Sequence, residues 1–110
     1  MNSDPIHKKC VPCEGGTKPL KGDELKTYMS FLKTQWELDE EKKKLEDTFK
    51  FKDFKEAMSF VNKIASIAEE EGHHPDIYIF YNKVTITLST HAIGGLSVND
   101  FILARKIEEL

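Results

Sequence analysis

Apolar residues recur along the chain with two different periods, and these periods predict its helices and strands. From position 54 to 68 the spacing is helical for four turns, with apolar residues at Phe54, Ala57, Met58, Val61, Ile64, Ala65 and Ala68. Asp53 and Glu56 are placed as a capping box at the start of this helix. Gly72 can take the left-handed conformation that ends a helix, and Pro75 cannot continue one. The pattern therefore predicts a helix that stops at a pair of histidines.

After Pro75 the period changes to two, which predicts a pair of half-buried strands. Residues 77–81 and 84–89 alternate between two faces, and Asn82-Lys83 lies between them as a two-residue hairpin loop. In this register Tyr81 faces Val84, and the apolar residues of both strands share one face. A slip by one residue would mix the faces. We therefore predict a tight β-hairpin in this register.

The first third of the chain predicts a surface helix and another hairpin. Residues 23–35 carry a helical apolar stripe, and Asp23 is the candidate N-cap. Residues 36–39 and 45–51 read as strands on either side of a charged turn at 40–44, which we interpret as a solvated hairpin tip.

The last helix is predicted to begin after Ser97, with Asp100 at its third position and Leu96 and Phe101 spaced as a hydrophobic staple. Over residues 98–110 it is apolar around much of its circumference, more than one sheet face needs. We expect part of this surface to be buried against a second copy of the chain.

The assembled order is α-β-β-α-β-β-α, which predicts an α+β fold: a four-stranded antiparallel sheet with helices packed on one face. Residues 21–110 form the single domain in this interpretation. Residues 1–20, rich in Pro, Gly and Lys and without a hydrophobic period, form an irregular N-terminal arm.

Length and charge exclude several classes of protein. The chain has 110 residues, enough for one hydrophobic core. Its net charge of -3 provides no basic surface for direct nucleic-acid binding. Its longest wholly apolar run, 77–81, is far too short to cross a membrane. The N-terminus lacks the pattern of a secretion signal. We expect a cytoplasmic protein, with a nuclear location left open, and reduced cysteines.

Cys10 and Cys13 form a C-x-x-C pair in the arm. Half of a metal site and a redox pair are both compatible with this spacing. A structural zinc site needs four ligands, however, and the chain has no second cysteine pair; a thioredoxin-like motif needs a βαβ pattern that is also missing. We therefore interpret Cys10 and Cys13 as loop thiols without a catalytic role.

The candidate chemistry lies where the long helix meets the second hairpin. Extending the predicted register by two steps sets His74 opposite His91, with His73 beside it. Glu69 lies one helical turn before His73 and could reach its ring N–H, and Asp100 could enter the same neighbourhood after the Gly-Gly loop. Histidine both gives and takes protons near neutral pH, and a carboxylate holds it basic. The cluster predicts general acid–base catalysis.

Two other interpretations remain open for the same residues. Each histidine could be ordinary surface or core filler, Glu69 a solvated helix residue, and Asp100 a helix-stabilising residue. A metal site is the rival chemistry, but the spacing lacks a histidine pair at i, i+4, and adjacent histidines tend to point apart.

Glu69-x3-His73-His74-Pro75, followed at fixed spacings by Tyr81, His91 and Asp100, resembles the signature of the pterin-4a-carbinolamine dehydratases. The likeness extends over nearly the whole chain, including the arm around Cys10. Members often carry Asp before the histidine pair and an aromatic residue two positions after the proline, whereas this chain has Gly72 and Ile77. These departures concern substrate affinity and stereochemical preference more than the reaction.

The resemblance implies a lyase that removes water from 4a-hydroxytetrahydropterin and so recycles the tetrahydrobiopterin cofactor of aromatic amino acid hydroxylases. It implies no metal and no organic cofactor. His73 and His91 would serve the acid and base steps, and His74 would bind and polarise the pterin. Substrate contacts and orientation would come from Glu69, Ser89, Thr90 and Asp100.

The resemblance also implies a homodimer formed through sheet edges or a homotetramer formed through helices. Some members bind the dimerisation region of a homeodomain transcription factor. The alternative function is therefore that of a non-enzymatic coactivator, with a partner helix lying on the apolar face of the last helix.

Overall fold

The computed structural model describes residues 4–10, 18–41 and 43–110. Within them, three α-helices and four strands follow the predicted order: α1 (Asp23–Met29), β1 (Glu37–Asp39), β2 (Lys44–Lys50), α2 (Phe54–Glu71), β3 (Asp76–Phe80), β4 (Lys83–Leu88) and α3 (Val98–Glu108). Two short 3-10 turns lie at Pro5–His7 and His91–Ile93. The predicted fold class is confirmed.

The four strands form one antiparallel sheet in the order β1-β2-β4-β3. Leu45 of β2 pairs with Leu88 of β4, and both side chains are fully buried on the face that packs against the helices. The other face carries polar pairs such as Thr48 with Thr85, whose hydroxyls are 2.8 Å apart. Because one face is apolar and the other polar, the helices cover only one side of the sheet.

The second hairpin has the predicted faces but a different register. Ile77 pairs with Ile86 and Ile79 pairs with Val84, so each partner is two residues earlier than predicted. The loop is Tyr81-Asn82 rather than Asn82-Lys83, and Tyr81 takes a positive φ of 54°. A shift of two residues keeps every side chain on its own face, so the apolar pattern could not detect it.

The helix boundaries of α2 agree with the sequence. Asp53 caps the helix by accepting from the Glu56 N–H at 2.9 Å. Glu56 completes the motif one residue earlier than the usual box, because its carboxylate accepts from the Lys52 N–H. Gly72 ends the helix in the left-handed conformation with φ 67°. The N-cap and C-cap predictions are confirmed.

The predicted helix over 23–35 is shorter than expected and lacks its predicted cap. It ends at Met29, and Gly22 rather than Asp23 takes the N-cap position. The Glu108 carboxylate accepts from the backbone N–H groups of Lys33 and Thr34, both at 2.7 Å. These two donors are therefore unavailable for the i to i-4 bonds that would continue the helix.

α3 is enclosed by the rest of the chain. Five of its apolar side chains are at most 2% exposed: Phe101, Ile102, Leu103, Ala104 and Ile107. They pack with the sheet, with α1 and α2, and with the 3-10 turn of the arm. The broad apolar surface from which we predicted a second copy is thus used inside the chain.

Candidate functional site

The end of α2 determines where the histidine pair goes. The Gly72 N–H donates to the Ala68 carbonyl at 2.9 Å, and the His73 N–H donates to the same carbonyl at 3.3 Å. Because Gly72 is left-handed, the chain leaves the helical path before His73. The two histidines then lie in the short connection to β3 and meet different partners.

His73 is joined to Asp100 across the domain. Its Nε2 lies 2.6 Å from Asp100 Oδ1, and the Asp100 side chain is fully buried. An ionised carboxylate only accepts hydrogen bonds, so Nε2 is the donor in this contact, and in the neutral form of the ring this arrangement leaves the lone pair on Nδ1. The prediction that Asp100 enters this neighbourhood agrees with the structure.

Asp100 is itself fixed by two other donors. Its Oδ2 accepts from the Ser97 N–H at 2.9 Å, which is its half of a capping box at the start of α3, and from Thr90 Oγ1 at 2.8 Å. Thr90 Oγ1 also lies 2.8 Å from Ser97 Oγ. Since the Thr90 proton points to Asp100, Ser97 is the donor in that contact. One buried carboxylate therefore starts α3 and orients His73.

Glu69 contacts His74 rather than His73. Glu69 Oε2 lies 2.6 Å from His74 Nε2, and both side chains are exposed. The prediction of a Glu69–His73 contact is wrong, because the i, i+4 relation applies only within a helix and Gly72 ends it. Glu69 therefore pairs with His74, and the carboxylate that contacts His73 is that of Asp100.

His91 lies in the loop after β4, next to Thr90, the residue that donates to Asp100. The β3–β4 ladder begins at Asp76 and Thr87, so strand pairing does not set His74 opposite His91, and that prediction is wrong. β4 ends at Leu88, and an isolated bridge between Thr90 and Gly95 closes the loop that holds His91. His91 Nε2 is 3.4 Å from Ser89 Oγ.

A small cavity of about 170 Å³ opens beside His91. It is lined by Lys43, Ser89, Thr90, His91, Gly94 and Gly95. Ser89 and Thr90 were predicted as substrate contacts, whereas Lys43 was interpreted as part of a solvated turn. Nothing in the run of lysines at 42–44 distinguishes it from its neighbours.

Glu71 is the other residue that the sequence interpretation missed. Its carboxylate accepts from the Cys10 N–H at 2.7 Å and from Lys106 Nζ at 2.8 Å. A sequence signal did exist, because acidic residues at a helix C-terminus oppose the helix dipole and need a compensating partner.

Cys13 lies outside the described residues. Among those residues, no group of three His, Cys, Asp or Glu side chains could hold a metal ion.

Comparison with known proteins identifies the family of this chain. The sequence profile of the family "Pterin 4 alpha carbinolamine dehydratase" matches residues 18–110. A protein of Alkaliphilus metalliredigens named "Putative pterin-4-alpha-carbinolamine dehydratase" is 51% identical over 93% of this chain and 91% of its own. The chain belongs to the pterin-4-alpha-carbinolamine dehydratase family. A Legionella pneumophila protein of the same name is 44% identical over 100% of this chain and 97% of its own.

Solved structures show the same fold. A "transcriptional coactivator/pterin dehydratase" from Brucella melitensis matches with a TM-score of 0.78 and 33% identity, covering 84% of this chain and 97% of its own. A "pterin dehydratase-like protein" described as a RuBisCO assembly factor in the alpha-carboxysome matches with a TM-score of 0.61 and 23% identity, over 69% of this chain and 88% of its own. That second likeness concerns the fold alone. Across the described ranges, no helix is long and apolar enough to cross a membrane.

Proposed function

We propose that this member of the dehydratase family removes water from 4a-hydroxytetrahydropterin and releases quinonoid dihydropterin. The observation that carries the proposal is the buried Asp100 carboxylate behind His73, with Nε2 and Oδ1 2.6 Å apart. A histidine oriented in this way has one defined tautomer, which suits it to proton transfer.

The reaction needs two proton transfers. The C4a–O bond breaks as an acid protonates the departing hydroxyl, and a base removes the proton on N5. The electron pair of the N5–H bond forms the N5=C4a double bond, so the products are water and the dihydropterin. We assign the two transfers to His73 and His91, and the binding and polarisation of the pterin to His74.

The remaining predicted site residues have supporting roles. Asp100 orients His73, and Thr90 donates to the same carboxylate. Ser89 and Thr90 border the cavity beside His91 and offer hydroxyls to the ring edge of the substrate. Glu69 orients His74. In this scheme no step uses a metal or an organic cofactor.

The test replaces His73 and His91 together by Ala and follows dehydration of freshly formed 4a-hydroxypterin by absorbance. We expect kcat to fall by about 10²- to 10⁴-fold, the usual contribution of general acid–base groups. His7→Ala is the matched control, because it removes an exposed histidine of the arm. Unchanged turnover in the double variant would refute the catalytic assignment.

The alternative coactivator function has less support on this chain. The partner helix was expected on the apolar face of α3, and that face is buried within the domain. The coactivator description belongs to the Brucella melitensis protein.

A homo-oligomer through a sheet edge does have support. β3 is an edge strand, and two exposed aromatic residues stand at its end: Phe80, the last residue of the strand, is 61% exposed, and Tyr81 of the following loop is 67% exposed. An edge strand with exposed apolar side chains offers unpaired backbone groups to another strand.

A further inference from the structure

Glu71, the last residue of α2, places a charged side chain in a buried position. That side chain is only 5% exposed, and each of its carboxylate oxygens accepts one hydrogen bond. Oε1 accepts from the Cys10 N–H at 2.7 Å, and Oε2 accepts from Lys106 Nζ at 2.8 Å. A buried carboxylate at the negative end of a helix dipole is costly unless such partners hold it.

The partners of Glu71 keep it charged. Burial acts to raise the pKa of the carboxyl, but the hydrogen bonds from Lys106 and Cys10, together with the charge of Lys106, outweigh burial and lower the pKa below its ordinary value. The contact is therefore an ion pair reinforced by a backbone donor.

The position of this ion pair links it to the candidate site. Glu71 comes two residues before His73, and Lys106 lies on α3, the helix whose first turn contains Asp100. The arm joins the same place, because Cys10 Sγ lies 3.7 Å from the Asn99 carbonyl. The chain segments that carry His73 and Asp100 are thus tied together a few residues away from their own contact.

We propose that Glu71, Lys106 and the Cys10 amide form a clamp that positions His73 against Asp100. The effect of this clamp on kcat rests on the proposed function, whereas its effect on the position of His73 does not. Glu71 acts through His73 and is a positioning residue rather than a catalytic one.

Glu71→Gln is the sharpest change, since a carboxylate has two acceptor oxygens and an amide has only one. The substituted amide can accept from Cys10 or from Lys106, and its NH₂ group then faces the other donor. Glu70→Gln is the matched control: it removes the same charge from the neighbouring position, where the side chain is exposed. Lys106→Gln tests the other half of the ion pair and, with Lys106 nearer the surface, is the variant to use if Glu71→Gln does not fold.

Two measurements follow. The ¹⁵N and ¹H resonances of the His73 ring report its hydrogen bond to Asp100, and steady-state kinetics on 4a-hydroxypterin separate kcat from KM. We expect Glu71→Gln and Lys106→Gln to shift the His73 Nε2 signal and to lower kcat by about tenfold or more, since a misplacement near 1 Å can cost on the order of 100-fold. KM should change by less than about twofold, and Glu70→Gln should behave as the wild type.

A His73 signal unchanged in both clamp variants would overturn the proposal, and so would an equal loss of kcat in Glu70→Gln. If the wild-type chain does not dehydrate the pterin, the proposed function fails. The His73 resonance would still decide whether the clamp exists.

Discussion

Replacing Asp100 by Asn should change the tautomer of His73. The amide oxygen can take the place of Oδ2 and keep the bonds from the Ser97 N–H and Thr90 Oγ1, now 2.9 and 2.8 Å long. The NH₂ group then occupies the place of Oδ1 and donates to His73 Nε2, 2.6 Å away. The ring must accept there, so its proton moves to Nδ1, and Nδ1, the nitrogen that does not contact Asp100 and is left for proton transfer in the proposed function, loses its lone pair.

The exchange of Asp100 for Asn should lower both the stability of the protein and its turnover. The hydrogen bonds of this side chain persist, but as neutral bonds they contribute less than bonds to a charged carboxylate, which costs about 2 kcal/mol of the free energy of unfolding in all, or roughly 8 °C in Tm for a domain of this size. The effect on catalysis should be much larger. The same Asp-to-Asn exchange behind a catalytic histidine lowers kcat by about 10⁴-fold in a serine protease through the wrong tautomer. We expect a loss of between about 10² and 10⁴ here.

The assay combines turnover of 4a-hydroxypterin with ¹⁵N spectra of the His73 ring, which distinguish the Nδ1–H form from the Nε2–H form. Asp53→Ala is the stability control: it removes the N-cap of α2, costs about 1 kcal/mol and leaves the site intact. An Asp100→Asn variant that keeps wild-type kcat would refute the reasoning. So would an inactive one in which His73 retains the Nε2–H form.

Two further predictions concern the clamp and the thiol beside it. Because the pKa of Glu71 is lowered from 4.5, the stability it contributes is present above that pH and is lost as the pH falls through the lowered pKa. The difference in Tm between wild type and Glu71→Gln should therefore shrink between pH 7 and pH 3, and a constant difference would contradict this. Burial, with the negative charge of Glu71, raises the pKa of the Cys10 thiol from 9.0 to about 12, so its thiolate is about 1,000-fold scarcer at pH 8 than in an unfolded chain. In a Cys13→Ser variant, iodoacetamide should alkylate Cys10 far more slowly in the folded protein than in urea; equal rates would show that Cys10 is accessible.

Local pattern was sufficient for most of the fold because each element is supported by several agreeing signals. α2 has a periodic apolar stripe, a capping residue at Asp53 and a glycine at its end, and all three fall where the structure has them. The hairpin loop had weaker support. Asn next to Lys favours a turn at 82–83, yet the structure accepts a positive φ at Tyr81, which local propensity disfavours. Pairing of β4 with β2 as well as β3 fixes its position, and this tertiary constraint is invisible in the loop sequence.

The candidate site shows a similar division. The position of Asp100 near the histidines, though not its bond to His73 in particular, was anticipated, because a capping position and a helix end both have sequence signatures. The partner of Glu69 was not, because one left-handed residue at Gly72 redirects both histidines. His91 was assigned to the site by a register that the structure does not have. The loop that holds it is closed by the Thr90–Gly95 bridge, a contact that no periodicity indicates.

The arm accounts for part of the burial of α3. A helix that is apolar all round is buried on all sides, and we assigned the excess to a second copy because one sheet face does not need so broad a stripe. Residues 4–10 instead lie along α3, anchored by Asp4 at Arg105 and by the Cys10 amide at Glu71. These anchoring contacts are polar and join residues far apart in sequence, so hydrophobic periodicity does not predict them. The only sequence signal for them is a charged residue at a position where it needs a partner. Glu71 at the negative end of α2 is such a charge. Its hydrogen bonds to the Cys10 amide and to Lys106 join the arm and α3 to the end of α2, just before the histidine pair.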